Sequence, residues 1–171
     1  MIRTRRVEEV ATPAEAGRLE TLYAAHALDA ARLAYLLTGD KALAEDLVHE
    51  AFVRMFGRFR DLRNPEAFRS YLRKTVVNLV KSHFRRRGVE RSYIAKQAAQ
   101  PTADATIDQG DEMWDQLQTL TPRQRAAIVL RYYEDLTEVQ TADVLGCAVG
   151  TVKSLVSRGL EQLRAGLSEG E

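Results

Sequence analysis

Residues 135–154 read D-L-T-E-V-Q-T-A-D-V-L-G-C-A-V-G-T-V-K-S, and this stretch determines how the C-terminal part of the chain is interpreted. Thr137 and Gln140 have the capping-box spacing that begins a helix, and Gly146 is placed to end it. A longer amphipathic helix begins at Val149 after a short turn. Two helices joined by a turn containing glycine predict a helix-turn-helix, whose second helix enters the major groove of DNA.

The outer face of that second helix carries side chains suited to a DNA groove. Opposite the apolar Val152 and Val156, the face and its flank present Thr151, Lys153, Ser154, Ser157 and Arg158. Small polar residues allow close approach to the groove, and Arg and Lys donate to guanine edges or phosphates. A solvated helix face would show the same residues, but the complete pattern of residues 135–154 favours DNA binding.

Helix signals also dominate the N-terminal part, where strand-like alternation is absent. Thr12 and Glu15 have capping-box spacing, with Pro13 at the first helical position. Gly39 is placed to end this helix and Asp40 to cap the next one. The sequence therefore predicts two consecutive amphipathic helices at the start of the chain.

Three more helices complete the predicted set. One opens at Asn64-Pro65 and is expected to end near Gly88. A short helix is expected around Trp114. The capping box at Thr121–Gln124 opens another, whose predicted apolar stripe is Ala126, Val129, Leu130 and Tyr133.

The stretch between these two groups of helices has a different composition. Residues 92–111 are polar and acidic, contain Pro101 and have no sustained apolar period, which is typical of a flexible linker. We therefore expect an all-α fold of two small helical domains, residues 12–91 and 112–168, joined by the linker 92–111.

Charge is segregated along the chain although the net charge is +1. Residues 54–91 hold 12 basic and 3 acidic residues, and such a block indicates a polyanionic partner or, alternatively, a solvated helix face. On the third helix a basic edge surrounds one amide: Arg69, Arg73, Lys74, Asn78, Lys81 and Arg85. Asn78 is the candidate for reading a base edge. Phe68, Tyr71 and Phe84 share the spacing of the apolar core and are expected to pack there.

The second helix carries an acidic group, Asp46, His49 and Glu50. A solvated face is the default interpretation, and a docking surface for a basic protein partner is the functional one. The three-residue spacing of Asp46 and His49 also occurs in metal-binding bundles, which leaves a metal-dependent helical enzyme as a remote alternative. No nucleophile motif or phosphate loop is present, so neither catalysis nor a cofactor is expected.

Other compositional features exclude several classes of protein. The sequence has no run of about 18 apolar residues, so it predicts no membrane helix. The basic start of the chain is followed by acidic residues, unlike a signal peptide. The single Cys147 excludes an internal disulfide. We therefore expect a cytoplasmic protein that does not bind membranes.

Three segments resemble the extracytoplasmic-function (ECF) group of bacterial RNA polymerase sigma factors. They are A-Y-L-L-T-G-D-K-A-L-A-E-D-L-V-H-E-A-F-V-R (34–54), R-N-P-E-A-F-R-S-Y-L-R-K-T-V-V-N-L-V-K-S-H-F-R-R-R (63–87) and L-T-P-R-Q-R-A-A-I-V-L-R-Y-Y-E-D-L-T-E-V-Q-T-A-D-V-L-G-C-A-V-G-T-V-K-S (120–154). The similarity is strongest to an actinobacterial branch. It implies that the first domain is a sigma region 2 bundle and the second a sigma region 4 helix-turn-helix.

The resemblance also implies partners and residue roles. Core RNA polymerase, through its beta and beta-prime subunits, and promoter DNA would be the partners, with an anti-sigma factor as a further candidate. Asp46, His49 and Glu50 would dock on the largest polymerase subunit. The −10 element would be bound by Leu62, Arg63, Asn64, Arg69, Arg73, Lys74, Asn78, Lys81 and Arg85. The −35 element would be read by Thr151, Lys153, Ser154, Ser157 and Arg158.

The sequence departs from the family pattern at four positions. His49 stands where Gln is usual, Thr141 where Ile is usual, Ala148 where Ser often caps the recognition helix, and Leu155 where a basic residue is common. A stand-alone helix-turn-helix regulator is the main alternative function, although it leaves residues 40–91 without a role.

Overall fold

The computed structural model describes residues 12–56, 64–94 and 112–168, and within these ranges it contains helices and no strands. The elements in chain order are α1 (Pro13–Thr38), α2 (Lys41–Phe56), α3 (Pro65–Ile94), α4 (Glu112–Gln118), α5 (Pro122–Ile128), a π-helical turn (Val129–Tyr133), α6 (Glu138–Leu145) and α7 (Val149–Ser168). The all-α prediction is confirmed. Residues 95–111 of the predicted linker lie outside the described residues.

Helix ends follow the sequence signals closely. The capping boxes that begin at Thr12, Thr121 and Thr137 are all formed. Gly39 and Gly146 end α1 and α6 with φ of 72° and 65°, the left-handed conformation that favours glycine. One prediction is wrong, because α3 does not end near Gly88 but continues to Ile94.

The π-helical turn explains a second wrong prediction, the burial of Tyr133. The backbone N–H of Glu134 bonds to the carbonyl of Val129, and that of Leu136 bonds to the carbonyl of Leu130. These bonds span five and six residues and rotate the following side chains away from the regular stripe. Val129 and Leu130 remain buried, whereas Tyr133 is exposed.

The three N-terminal helices pack around a shared apolar interior. Phe68 of α3 is buried, with its ring centroid 6.0 Å from that of Phe52 and 4.9 Å from that of His26. Tyr71 and Phe84 are half-buried against the same core. The prediction that these three aromatic residues belong to the core is therefore confirmed.

The C-terminal helices form a helix-turn-helix that is continuous with the N-terminal core. The α6–α7 pair meets at the Gly146 turn, and Val152 of α7 is fully buried. Trp114 of α4 packs so closely on the end of α1 that a methyl group added at Gly39 would collide with its indole ring. The buried side chains of the two halves form one cluster.

Arg125 is buried where α1, α4 and α5 meet. It is 7% exposed, and its guanidinium donates to the carbonyls of Leu117 (2.9 Å), Leu120 (3.2 Å) and, across 88 residues of sequence, Leu37 (3.1 Å). Its Cζ also lies 4.7 Å from the centroid of the Trp114 ring. Desolvation by burial lowers the pKa of this guanidinium. Arg125 therefore ties the C-terminal end of α1 to the second half of the chain.

Replacement of Arg125 by methionine removes the cation and keeps most of the side-chain volume. We expect Arg125→Met to lower the free energy of unfolding by about 2–4 kcal/mol, because carbonyls of three segments lose a buried donor. Urea denaturation followed by circular dichroism measures this loss. Arg123→Met is the matched control, since Arg123 is exposed two residues away; equal losses for the two variants would contradict the role of Arg125.

Thr141 of α6 is fully buried, and its hydroxyl has no hydrogen-bond partner. Thr141→Val replaces that hydroxyl by a methyl group of similar size. We expect Thr141→Val to raise the free energy of unfolding by about 1 kcal/mol, because an unsatisfied buried polar group is removed. Thr151→Val, at a half-buried position of α7, is the control that should give no comparable gain. An unchanged or lower denaturation midpoint for Thr141→Val would show that the hydroxyl is satisfied.

Candidate nucleic-acid and polymerase-binding surfaces

The start of α3 is set by Asn64, the one residue of the predicted loop 62–64 that the structure describes. Its side-chain oxygen accepts from the backbone N–H of Glu66 at 3.0 Å, and its carbonyl accepts from that of Phe68 at 3.1 Å. Leu62 and Arg63 lie outside the described residues. Asn64 is exposed, so the same residue begins α3 and faces solvent.

The predicted −10 residues of α3 fall into two groups. Arg69, Asn78 and Arg85 are exposed. Arg73, Lys74 and Lys81 contact the C-terminal half of the chain, and of these Lys81 is also exposed. We name these six residues, Arg69, Arg73, Lys74, Asn78, Lys81 and Arg85, the α3 basic edge.

Acidic and carbonyl groups of the C-terminal half bind the second group. Arg73 Nε donates to Glu134 at 2.7 Å, and the two side chains are 12% and 8% exposed. Lys74 Nζ lies 3.0 Å from an Asp143 carboxylate oxygen in a more exposed pair. Lys81 Nζ donates to the carbonyl of Leu145 at 2.7 Å. The sequence reasoning missed these contacts.

The predicted recognition face of α7 is largely exposed. Lys153, Ser154, Ser157 and Arg158 are exposed and Thr151 is half-buried. Ser154 Oγ donates to the carbonyl of Gly150 at 3.1 Å, within the same helix. Lys153 Nζ lies 3.6 Å from Glu138 of α6 in an exposed pair. The face therefore combines small hydroxyl groups with two cations, which suits contacts to bases and phosphates.

Two of the departures from the family pattern lie beside this face. Ala148 precedes α7 and has no side chain that can cap it, although its carbonyl accepts from the N–H groups of Thr151 and Val152. Leu155 is half-buried and lines a groove with Val80 and Phe84 of α3. A leucine at this position therefore packs between the halves of the chain.

The acidic group of α2 lies on the solvent side of the N-terminal bundle. Asp46, His49 and Glu50 are all exposed, and Glu50 pairs with Arg54 at 2.5 Å. In the described part of the chain, no cluster of three or more His, Cys, Asp or Glu side chains is arranged to hold a metal ion. Val53 and Phe56 leave apolar area exposed on the same helix, so this face combines acidic and apolar groups.

None of the described helices is long and apolar enough to cross a membrane.

A helix-turn-helix with a polar recognition face, joined to a helical bundle with a basic edge, defines a DNA-binding transcription protein. Residues 22–89 match the family described as Sigma-70 region 2, and residues 110–163 match Sigma-70, region 4. The chain belongs to the sigma-70 family of RNA polymerase sigma factors, in its ECF group.

Curated relatives agree with this assignment. RNA polymerase sigma-E factor of Streptomyces coelicolor is 34% identical over 135 residues, which cover 78% of this chain and 76% of that protein. ECF RNA polymerase sigma factor SigL of Mycobacterium tuberculosis is 32% identical over 169 residues, which cover 93% and 94%. The alternatives, a stand-alone regulator and a metal-dependent enzyme, are not favoured.

A solved structure shows the same architecture. The sigma factor RpoE of Bartonella quintana, in complex with the anti-sigma factor NepR, superposes with a TM-score of 0.64 at 25% identity. The match covers 92% of this chain and 98% of that chain. This protein is therefore a promoter-specific transcription initiation factor that works with core RNA polymerase.

Glu134, Asp143 and Arg125 are the residues with structural roles that the sequence reasoning did not assign. Glu134, in the bend after the π-helical turn, and Asp143, in α6, belong to no apolar period or motif that could have identified them. Arg125 had a weak signal, because it lies one turn into α5 among apolar neighbours.

Proposed function

We propose that this ECF sigma factor uses three separate surfaces to bind core polymerase, the −10 element and the −35 element. Asp46, His49 and Glu50 on α2 dock on core RNA polymerase. The loop 62–64 and the α3 basic edge bind and open the −10 element, and the polar face of α7 reads the −35 element. The two proposed domains, predicted as 12–91 and 112–168, carry these surfaces, and the first extends to the end of α3 at Ile94. The proposed compartment is the cytoplasm, on the nucleoid when polymerase is bound.

The observation that carries this proposal is the pairing of a recognition face on α7 with an exposed amide among cations on α3. Asn78 is exposed between Arg69 and Arg85. An amide can bond to a base edge while the flanking cations bind phosphates. An unpaired base would then be held next to a helix that follows the DNA backbone.

The polymerase-docking role rests on exposure and charge. The α2 face offers carboxylates beside exposed apolar side chains, and such a surface fits a basic partner with an apolar centre. His49 replaces the usual Gln but is exposed like its neighbours, so it can still donate a hydrogen bond. An anti-sigma factor is a further proposed partner, because the sigma factor RpoE was solved with NepR.

Run-off transcription tests the docking surface. We expect Asp46→Arg to abolish promoter-specific transcripts and retention on immobilised core polymerase, because it reverses a charge at the proposed contact. Circular dichroism should be unchanged, since Asp46 is exposed. Asp29→Arg on α1 is the charge-matched control. Normal retention of Asp46→Arg would refute the assignment, and no promoter-specific transcript from the unsubstituted chain would refute the function.

The −35 assignment predicts a local loss of recognition. Ser154→Ala and Arg158→Ala should each weaken promoter binding by the holoenzyme by about 1–3 kcal/mol, which is the typical worth of a base contact. The loss should disappear on promoters whose −35 element is scrambled. Glu161→Ala, one turn further along α7, is the control. A loss that persists on the scrambled promoter would assign these side chains to folding or to phosphate contacts.

A further inference from the structure

We propose that the groove between α3 and the C-terminal helices binds a medium-chain fatty acid, whose alkyl chain lies on the apolar walls and whose carboxylate lies among the cations at the rim. The proposed function gives this groove no ligand. The inference does not rest on that function, although two of the cations, Lys81 and Arg85, also belong to the α3 basic edge. Its tests therefore use neither polymerase nor DNA.

The groove has the size and lining of a small-molecule site. Its volume is about 360 Å³, at the low end of the range of about 300–1,000 Å³ that is typical of ligand pockets. Apolar side chains from three helices form much of its walls, among them Val80 and Phe84 of α3, Ala126 of α5 and Leu155 of α7. Phe84 and Leu155 are only half-buried, so apolar area is left for an alkyl chain to cover.

Leu155 makes the α7 wall of the groove apolar. A basic residue is common at this position in the family, whereas the leucine of this chain packs against the core and lines the groove. Each methylene group that leaves water for such a wall strengthens binding by roughly fourfold. The affinity for a fatty acid should therefore rise with the length of its alkyl chain.

The rim of the groove is positively charged. Lys81, Arg85 and Arg123 belong to its lining and are exposed. Lys81 Nζ donates to the carbonyl of Leu145 at 2.7 Å, which uses one of its three donors. Among the described residues, no acidic side chain lines the groove. A carboxylate can accept two hydrogen bonds from one guanidinium, so the charge of the rim favours an anionic head group.

Calorimetry of the unsubstituted chain tests the ligand class. The probes are decanoate, octanoate, acetate and decyltrimethylammonium, each below its critical micelle concentration. We expect saturable binding of decanoate with an affinity on the order of tenfold above that of octanoate, because two methylene groups are added. Acetate has the head group without the alkyl chain, and decyltrimethylammonium has a similar chain with the opposite charge. Neither should give saturable heat.

The thiol of Cys147 reports where the ligand lies. Cys147 is the one cysteine of the chain, is half-buried and lines the groove. We expect saturating decanoate to slow its alkylation by the neutral reagent iodoacetamide severalfold, as followed by intact mass spectrometry. Glutathione, alkylated with and without decanoate, controls for an effect on the reagent, and its rate should not change.

Two variants test the two ends of the ligand. Arg123→Glu should weaken decanoate binding on the order of tenfold, because it reverses a charge at the rim, while Arg32→Glu makes the same change at an exposed position of α1 outside the groove. Leu155→Gln should reduce the difference between decanoate and octanoate. Val139→Gln, at an exposed apolar position of α6, is its control. Circular dichroism checks that each variant is folded.

The unsubstituted chain alone can overturn the proposal. Absence of saturable decanoate binding would show that the groove takes no fatty acid. Equal binding of decanoate and decyltrimethylammonium would show adsorption to apolar surface without a role for the cations. Decanoate binding that leaves the alkylation rate of Cys147 unchanged would place the ligand outside the groove. Selective binding of decanoate with protection of Cys147 supports the site, whatever the outcome of run-off transcription.

Discussion

The arrangement of the two halves depends on Arg125, a buried cation that is satisfied by main-chain oxygens instead of a carboxylate. The carbonyls of Leu37 and Leu117 lie in the last turns of α1 and α4, where helix dipoles place partial negative charge. A buried guanidinium has five donors in a fixed plane, so it fixes the directions from which several segments approach. The Gly39 turn then lies against Trp114, and this contact requires a residue without a side chain.

Much of the fold could be predicted because helix boundaries are local. Three capping boxes and two glycine stops have signatures within four residues, and each one formed as predicted. The two wrong predictions, the end of α3 and the burial of Tyr133, concern positions where a local sequence signal is outweighed by the rest of the structure. The α3 helix continues through Gly88, since one glycine costs a helix only about 1 kcal/mol. The π-helical turn at Val129 shifts the register and exposes Tyr133, which no periodicity count detects.

The candidate site also has features that the sequence could predict and features that it could not. Exposure of Asn78 and of the α7 face follows from the helical period, so the sequence predicted it. The partners of Arg73 and Lys81 could not be predicted, because they lie 61 and 64 residues away and no short motif relates them. The structure adds that a basic residue on the polar side of an amphipathic helix can be bound within the chain rather than facing solvent.

The contacts of Arg73 and Lys81 within the chain change how the segregation of charge is interpreted. Residues 54–91 carry 12 basic and 3 acidic residues, which considered alone indicates an external polyanion. The near-neutral net charge requires acidic residues elsewhere in the chain. Two of them, Glu134 and Asp143, form ion pairs with Arg73 and Lys74 of the α3 basic edge. Part of the positive charge of α3 is therefore paired within the chain. The exposed Lys74–Asp143 pair contributes little to stability, whereas removal of one partner from the largely buried Arg73–Glu134 pair would leave a poorly solvated charge. A count of basic residues along the sequence therefore overstates the positive charge that α3 presents to a partner.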